Sequence, residues 1–240
     1  MVSFALFKLF LLPVLFVVHT YTTTPPNAAP GPKDRIYNWQ IFDKVTRNIG
    51  KSSQAFVLFS LACEFLLAAS ILFPNVVIFD DRRIANAICP HPKGDPAVGR
   101  VSLLYALSLL IVFAGSIGRA WCYNALGKLF TVEVTLRPSH TLVTHGLYSW
   151  VRHPAYTSLF THLVGMIVLH MAPGGWNYEC GIMQSGYAWF VRGWVLVIVY
   201  TIISLSRRVN VEDSLLKGEF GSKWERYQSA VPYKFVPGIF

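Results

Sequence analysis

AFVLFSLACEFLLAASILF, residues 55–73, carries a single charged side chain, Glu64. Beyond Pro74 the apolar character resumes as Val76-Val77-Ile78-Phe79, so a span is predicted over 55–79. Crossing the roughly 30 Å hydrocarbon core of a bilayer takes about 20 apolar residues in a helix. Working outward, comparable runs lie at 101–122, 155–171 and 187–206. Residues 1–18 are apolar apart from Ser3 and Lys8, with Pro13 inside. They read either as a short first membrane helix kinked at Pro13 or as a signal peptide, although no positive segment precedes them. The Pro-rich stretch 22–34 reads as a linker and the mixed, basic stretch 35–51 as an interfacial segment. Residues 80–100, with three prolines, read as a loop.

The composition agrees. The chain has 240 residues, 53% hydrophobic and 14% charged, whereas soluble domains carry about 25% charged residues. The expected fold class is all-α: a polytopic integral membrane helical bundle of about five transmembrane helices. Three regions follow: 1–54 (first helix and linker), 55–122 (two transmembrane helices) and 123–240 (two transmembrane helices and a charged, aromatic C-terminal segment, 207–240, with helical periodicity to about Tyr227). The net charge of +9 comes from basic residues beside apolar runs, which suits cytosolic flanks and anionic lipid and excludes nucleic acid as a partner. The 172–186 loop has no Lys or Arg, whereas 119–154 and 207–240 are rich in both. Those two segments are therefore expected on the cytosolic side. The 80–100 loop then falls on the luminal side, against the pull of Arg82, Arg83, Lys93 and Arg100. Cys89 and Cys180 would both be luminal, where they can pair or remain two thiols; spacing does not decide. No CxxC pair or metal-ligand spacing is present, so no metal is expected.

Two polar patches flank the last two spans. Leu142-Val143-Thr144-His145-Gly146-Leu147-Tyr148-Ser149-Trp150-Val151-Arg152-His153-Pro154-Ala155-Tyr156 runs straight into an apolar helix. Polar groups at a membrane surface are costly unless they bind something. Pro154 suits the first turn of the helix that starts there. The second patch, Arg207-Arg208-Val209-Asn210-Val211-Glu212-Asp213, sets Arg208 and Glu212 at i and i+4. Taken alone this is a surface ion pair of little energetic weight. His162 and His170, inside an apolar helix, read as helix-contact residues. Glu64 is costly in mid-membrane and must pair with a neighbouring helix or be protonated.

The two patches resemble the signatures of the isoprenylcysteine carboxyl methyltransferases. The first signature is matched by His140-Thr141-Leu142-Val143-Thr144, Gly146, Tyr148, Arg152-His153-Pro154 and Tyr156. The second is matched by Arg208, Glu212, Leu216, Phe220-Gly221, Tyr227 and Val231-Pro232. Departures are Asp213 for a second Glu, Ser158 for Gly, Trp224 for Tyr, and Glu133 where animal relatives have a cofactor-contacting Gln. The resemblance spans the C-terminal half, from Leu129.

It implies a membrane enzyme that uses S-adenosyl-L-methionine to methylate the C-terminal carboxylate of prenylated proteins, in the endoplasmic reticulum membrane and from its cytosolic face. The cofactor pocket would be made by helix ends and loops, for no Gly-rich strand–helix turn of the dinucleotide-binding kind occurs. By correspondence its lining would be Glu133, His140, Thr141, Leu142, Val143, Tyr148, His153, Pro154, Ala155, Tyr156 and Glu212. Arg208 would bind the acceptor carboxylate, because a guanidinium gives planar two-point binding. Arg208 and Glu212 would be the catalytic pair. Glu212 is not expected to act as a base, since the acceptor is ionised at neutral pH. Other readings are the same fold acting on a phospholipid amine or a small lipophilic carboxylate, and a non-enzymatic membrane scaffold. The chain ends Pro237-Gly238-Ile239-Phe240, so no prenylation box of its own is expected.

Overall fold

The structure, a computed structural model, describes residues 2–29, 31, 41–73, 86–92, 100–132, 135 and 141–239. Among them there is no β-strand. The α-helices are α1 (Val2–Thr23), α2 (Ile41–Leu72), α3 (Leu103–Leu126), α4 (Pro154–Met171), α5 (Trp176–Glu179), α6 (Ala188–Phe220) and α7 (Ser222–Ala230). Short 3₁₀ turns occupy Gly127–Leu129, Gly146–Ser149 and Ile182–Gln184. Among the described residues five helices are long and apolar enough to cross a membrane, and with the composition they make this a multi-pass membrane protein.

The spans expected from sequence have helical counterparts with different ends, and residues 74–79 of the one expected over 55–79, with most of 80–100, lie outside the described residues. α1 runs through Pro13, and α2 begins at Ile41, so residues 41–51 of the basic stretch are part of one 32-residue helix, while 35–40 lie outside the described residues. α6 does not stop with its apolar run at residue 206 but continues to Phe220. Its 33 residues span about 50 Å at 1.5 Å per residue, far more than the bilayer core requires. Hydropathy therefore marks where the membrane ends, and the backbone hydrogen bonds carry the helix beyond it. The break comes at Gly221, whose φ of +51° is a conformation that favours glycine.

The chain forms two compact units. The first comprises Met1–Thr20, Lys51–Phe113 and Leu163–Val197. Here Glu64 finds its partner on α1. Its Oε1 accepts from Lys8 Nζ at 2.8 Å and from the Tyr105 hydroxyl at 3.0 Å, and its Oε2 from the Trp176 backbone N–H at 3.1 Å. Lys8 also donates to the Gly174 carbonyl and lies 4.4 Å from the centre of the Tyr105 ring. Cys89 and Cys180 are joined in a disulfide, which decides the open question of their pairing. The bond lies in an apolar cluster with Cys63, Trp176, Ile182 and Val191. His170, buried, lies with Nδ1 2.8 Å from the Met166 carbonyl and beside Phe56 and Trp194.

The second unit comprises Tyr21–Gly50, Ala114–His162 and Ile198–Phe240. α3 and α4 approach closely at Gly115, where a Cβ would stand 2.5 Å from the His162 nitrogen. Ser116 Oγ and His162 Nδ1 lie 2.9 Å apart, so His162 is a helix-contact residue as expected. One apolar cluster gathers Cys122, Tyr123, Phe130, Tyr148 and Ala155; another gathers Trp224, Tyr227 and Val231.

Candidate active site

α4 starts at Pro154, whose missing N–H costs nothing in a first helical turn. The residues before it serve as its cap: the His153 carbonyl accepts from the N–H groups of Tyr156 (3.0 Å) and Thr157 (3.2 Å). The backbone N–H groups of Arg152 and His153 point the other way, to the carbonyls of Tyr233 and Lys234, each at 2.9 Å. Thr157 Oγ1 donates to the Phe235 carbonyl at 2.9 Å. The chain end is thus laced along the start of α4.

Arg152 strengthens this lacing. Its Nη1 donates to the carbonyls of Val231 and Pro232, both at 3.0 Å, and its Nη2 lies 3.3 Å from Asp213 Oδ2. His153 lies between two carboxylates on the polar extension of α6. Its Nε2 is 2.8 Å from Asp213 Oδ1, and its Nδ1 is 3.6 Å from Glu212 Oε2. Glu212 Oε1 accepts from Arg208 Nε at 2.7 Å and from the Tyr156 hydroxyl at 2.5 Å. Two guanidinium groups, two carboxylates and one imidazole form a single network that joins α4, α6 and the segment 231–235. Such charge-assisted bonds are roughly twice as strong as neutral ones and hold geometry as well.

The network forms part of the wall of a cavity of about 950 Å³, counted with its open mouth. Its lining comes from the end of α3 and the turn after it, from 141–143, from 148–156, from the α6 extension and from α7. Of the residues expected from sequence, Thr141, Leu142, Val143, Tyr148, His153, Ala155, Tyr156, Arg208 and Glu212 line it together. Pro154 is buried at the helix start and is not part of the lining. Glu133 and His140 lie outside the described residues.

The structure adds residues to which the sequence reading gave no role. Phe130 and Arg152 line the cavity, as do Trp224 and Tyr227 on α7. The α7 pair had a legible signal, two aromatics three apart just after a helix-breaking glycine. Tyr227 donates its hydroxyl to the Tyr148 carbonyl at 2.7 Å. Burial pushes its phenol up to about 12, with Arg152 opposing and Asp213 adding to the shift. Burial likewise raises Tyr148 well above the usual phenol range, with Cys122 adding to it. Both therefore stay protonated and neutral at ordinary pH.

Chemically the cavity offers aromatic faces, threonine hydroxyls and a carboxylate beside a buried guanidinium. Glu212 has 21% of its side chain exposed and can meet a cation; Arg208, only 3% exposed, can meet an anion. The set fits a ligand with a flat base, hydroxyls and positive charge next to a second, anionic ligand.

Residues 106–193 match the isoprenylcysteine carboxyl methyltransferase (ICMT) family. Proteins named protein-S-isoprenylcysteine O-methyltransferase are similar to this chain. That of Dictyostelium discoideum is 30% identical over 146 residues, 60% of this chain and 53% of its own length. That of Xenopus laevis is 28% identical over 151 residues, 60% and 45% respectively. That of Saccharomyces cerevisiae is 31% identical over 128 residues, 52% and 46%. The chain spans about half the length of the curated relatives it matches. A solved structure of the eukaryotic intramembrane Ras methyltransferase ICMT aligns with 95% of this chain and 74% of its own, at 20% identity and a TM-score of 0.47.

Proposed function

We propose that this chain, a relative of the protein-S-isoprenylcysteine O-methyltransferases, transfers a methyl group from S-adenosyl-L-methionine to the C-terminal carboxylate of prenylated proteins. One observation carries this reading: the pair of buried Arg208 and part-exposed Glu212 lines the same cavity as His153 and Tyr156. When bound, the donor supplies an electrophilic methyl group on a sulfonium. The chain's residues do the rest by holding, orienting and excluding water. Glu212, fixed by Tyr156 and Arg208, holds the positive charge of the donor. The aromatic wall of Phe130, Tyr148, Trp224 and Tyr227 takes its base. Arg208 orients one oxygen of the acceptor carboxylate. That oxygen is already ionised, so no protein base has to remove a proton. Fixing two reactants in line and removing water supplies most of the rate in such a displacement.

The remaining features follow from the same reading. The C-terminal region 123–240 is the catalytic part, and 1–54 and 55–122 provide the other membrane helices. The cavity opens to the cytosol, where the donor is, and the disulfide lies on the oxidising luminal side of the endoplasmic reticulum membrane. The prenyl tail approaches from lipid.

The test uses membranes containing the full chain, labelled S-adenosyl-L-methionine, and either N-acetyl-farnesylcysteine or phosphatidylethanolamine. Base-labile methyl ester on the prenylcysteine is expected. Labelling of the amine alone would overturn the acceptor assignment. No binding of the donor by the purified protein would point to a scaffold.

A further inference from the structure

We infer that Arg119 and Asn27 are positioning residues of the donor pocket, bracing its Phe130–Ala155 wall against the stretch 22–27 at the end of α1. The inference rests on the proposed reading of the cavity. It concerns a part of the chain, 22–27, outside the family match at 106–193.

Arg119 lies on α3 and is 5% exposed. A guanidinium so deeply buried needs oxygen partners to offset the loss of water. Its Nη1 donates to the Ala155 carbonyl at 2.7 Å. Its Nε donates to the Tyr123 hydroxyl (3.2 Å) and the Thr22 carbonyl (3.4 Å). Thr22 belongs to the last turn of α1, where carbonyls lack helical partners and a cation is favoured by the helix dipole. The Tyr123 hydroxyl reinforces the same point, donating to the carbonyls of Thr22 (3.0 Å) and Thr24 (3.2 Å).

Phe130 is held from two directions. The Arg119 guanidinium lies 5.1 Å from its ring centre, and Tyr123 meets the ring edge-on at 4.5 Å. Its backbone is held separately: the Asn27 amide donates to the carbonyls of Gly127 and Phe130, both at 2.8 Å. Two residues of α3, Arg119 and Tyr123, thus hold the ring, and Asn27 in the linker holds the main chain, of a cavity-wall aromatic. A wall fixed beforehand loses less freedom when a ligand docks. Glu212 is held by Arg208 and by the Tyr156 hydroxyl. Loosening the brace should weaken donor binding and leave the chemical step alone.

The test measures two things on the full chain in detergent micelles. The first is backbone hydrogen exchange at 127–132 without ligand; the second is calorimetric binding of S-adenosyl-L-methionine, followed by kcat and KM with N-acetyl-farnesylcysteine. Asn27→Ala and Tyr123→Phe carry the test, because Arg119→Met removes a buried charge and risks misfolding. Each is expected to speed exchange at 127–132 and to weaken donor binding about 3- to 10-fold, the scale of one side chain losing its order. The kcat at saturating donor and the acceptor KM should stay within about twofold, a split that general loosening does not give. Unchanged exchange in both variants would overturn the brace whatever binds in the cavity. So would normal donor affinity despite faster exchange, or a parallel fall in kcat and melting temperature. Faster exchange in a protein that binds no donor even as wild type would support the brace and refute the proposed function.

Discussion

Each unit of this protein contains a close pair of opposite charges, and the two pairs are built differently. Lys8–Glu64 has side chains 0% and 6% exposed, with both carboxylate oxygens taken by protein donors. Arg208–Glu212 is also close, at 2.7 Å, yet Glu212 is 21% exposed and faces the cavity. The first pair joins α1 to α2 and to the turn before α5. The second presents charge to whatever enters. A closed pair contributes to holding a fold together; an open one leaves capacity for a ligand. Length of contact does not separate them, whereas the number of partners and the access to space do.

The largest expected effect breaks the closed pair. Lys8→Ala strands a buried carboxylate and should lower stability by about 3–5 kcal/mol, read from chemical unfolding in detergent. The double change Lys8→Met with Glu64→Leu should recover most of that loss, because no orphaned charge remains. Residual activity per folded molecule should be close to normal in both.

The open pair should behave in the opposite way. Arg208→Ala is expected to cut methyl transfer about 10²–10³-fold, the range seen when a charge-stabilising donor is removed. Its melting temperature should move little. A large loss of stability with normal turnover per folded molecule would erase the contrast between the two pairs.

The smallest effect tests the aromatic wall. Tyr227→Phe removes the hydrogen bond to the Tyr148 carbonyl and should cost about 1 kcal/mol of stability. It also has a pH signature. The folded phenol holds its proton up to about 12, against 10.0 when unfolded. The unfolded chain therefore releases this proton first, and stability falls as pH climbs from 10 toward 12. Tyr227→Phe should flatten that part of the stability curve.

Much of this was readable in the residues. Glu64 in a long apolar run had to find a partner or be protonated, and Lys8 was the one charge in the first apolar stretch. Joining them needed the fold, since 56 positions separate them. The Arg208–Glu212 pair was visible because helix spacing is local. The helix beyond residue 206 was visible too, in periodicity that runs to about Tyr227; the break at Gly221 that divides it into α6 and α7 was not. Asp213 stood out only as a departure from the family pattern; its bonds to His153 and Arg152 give that residue a role. Arg119 carried no signal, because its partners are backbone carbonyls, which any residue supplies.

What the sequence alone determined was the four membrane spans after the first apolar stretch, the all-α class and the two polar patches, all set by composition and by spacing within a few turns. What only the tertiary structure decided was which distant groups meet: Lys8 with Glu64, Cys89 with Cys180, Asp213 with His153, and Arg119 with the end of α1. The physical reason is that helix periodicity orders neighbours three or four residues apart. Pairing across some sixty to a hundred residues depends on how whole helices pack, and one residue's type does not encode that.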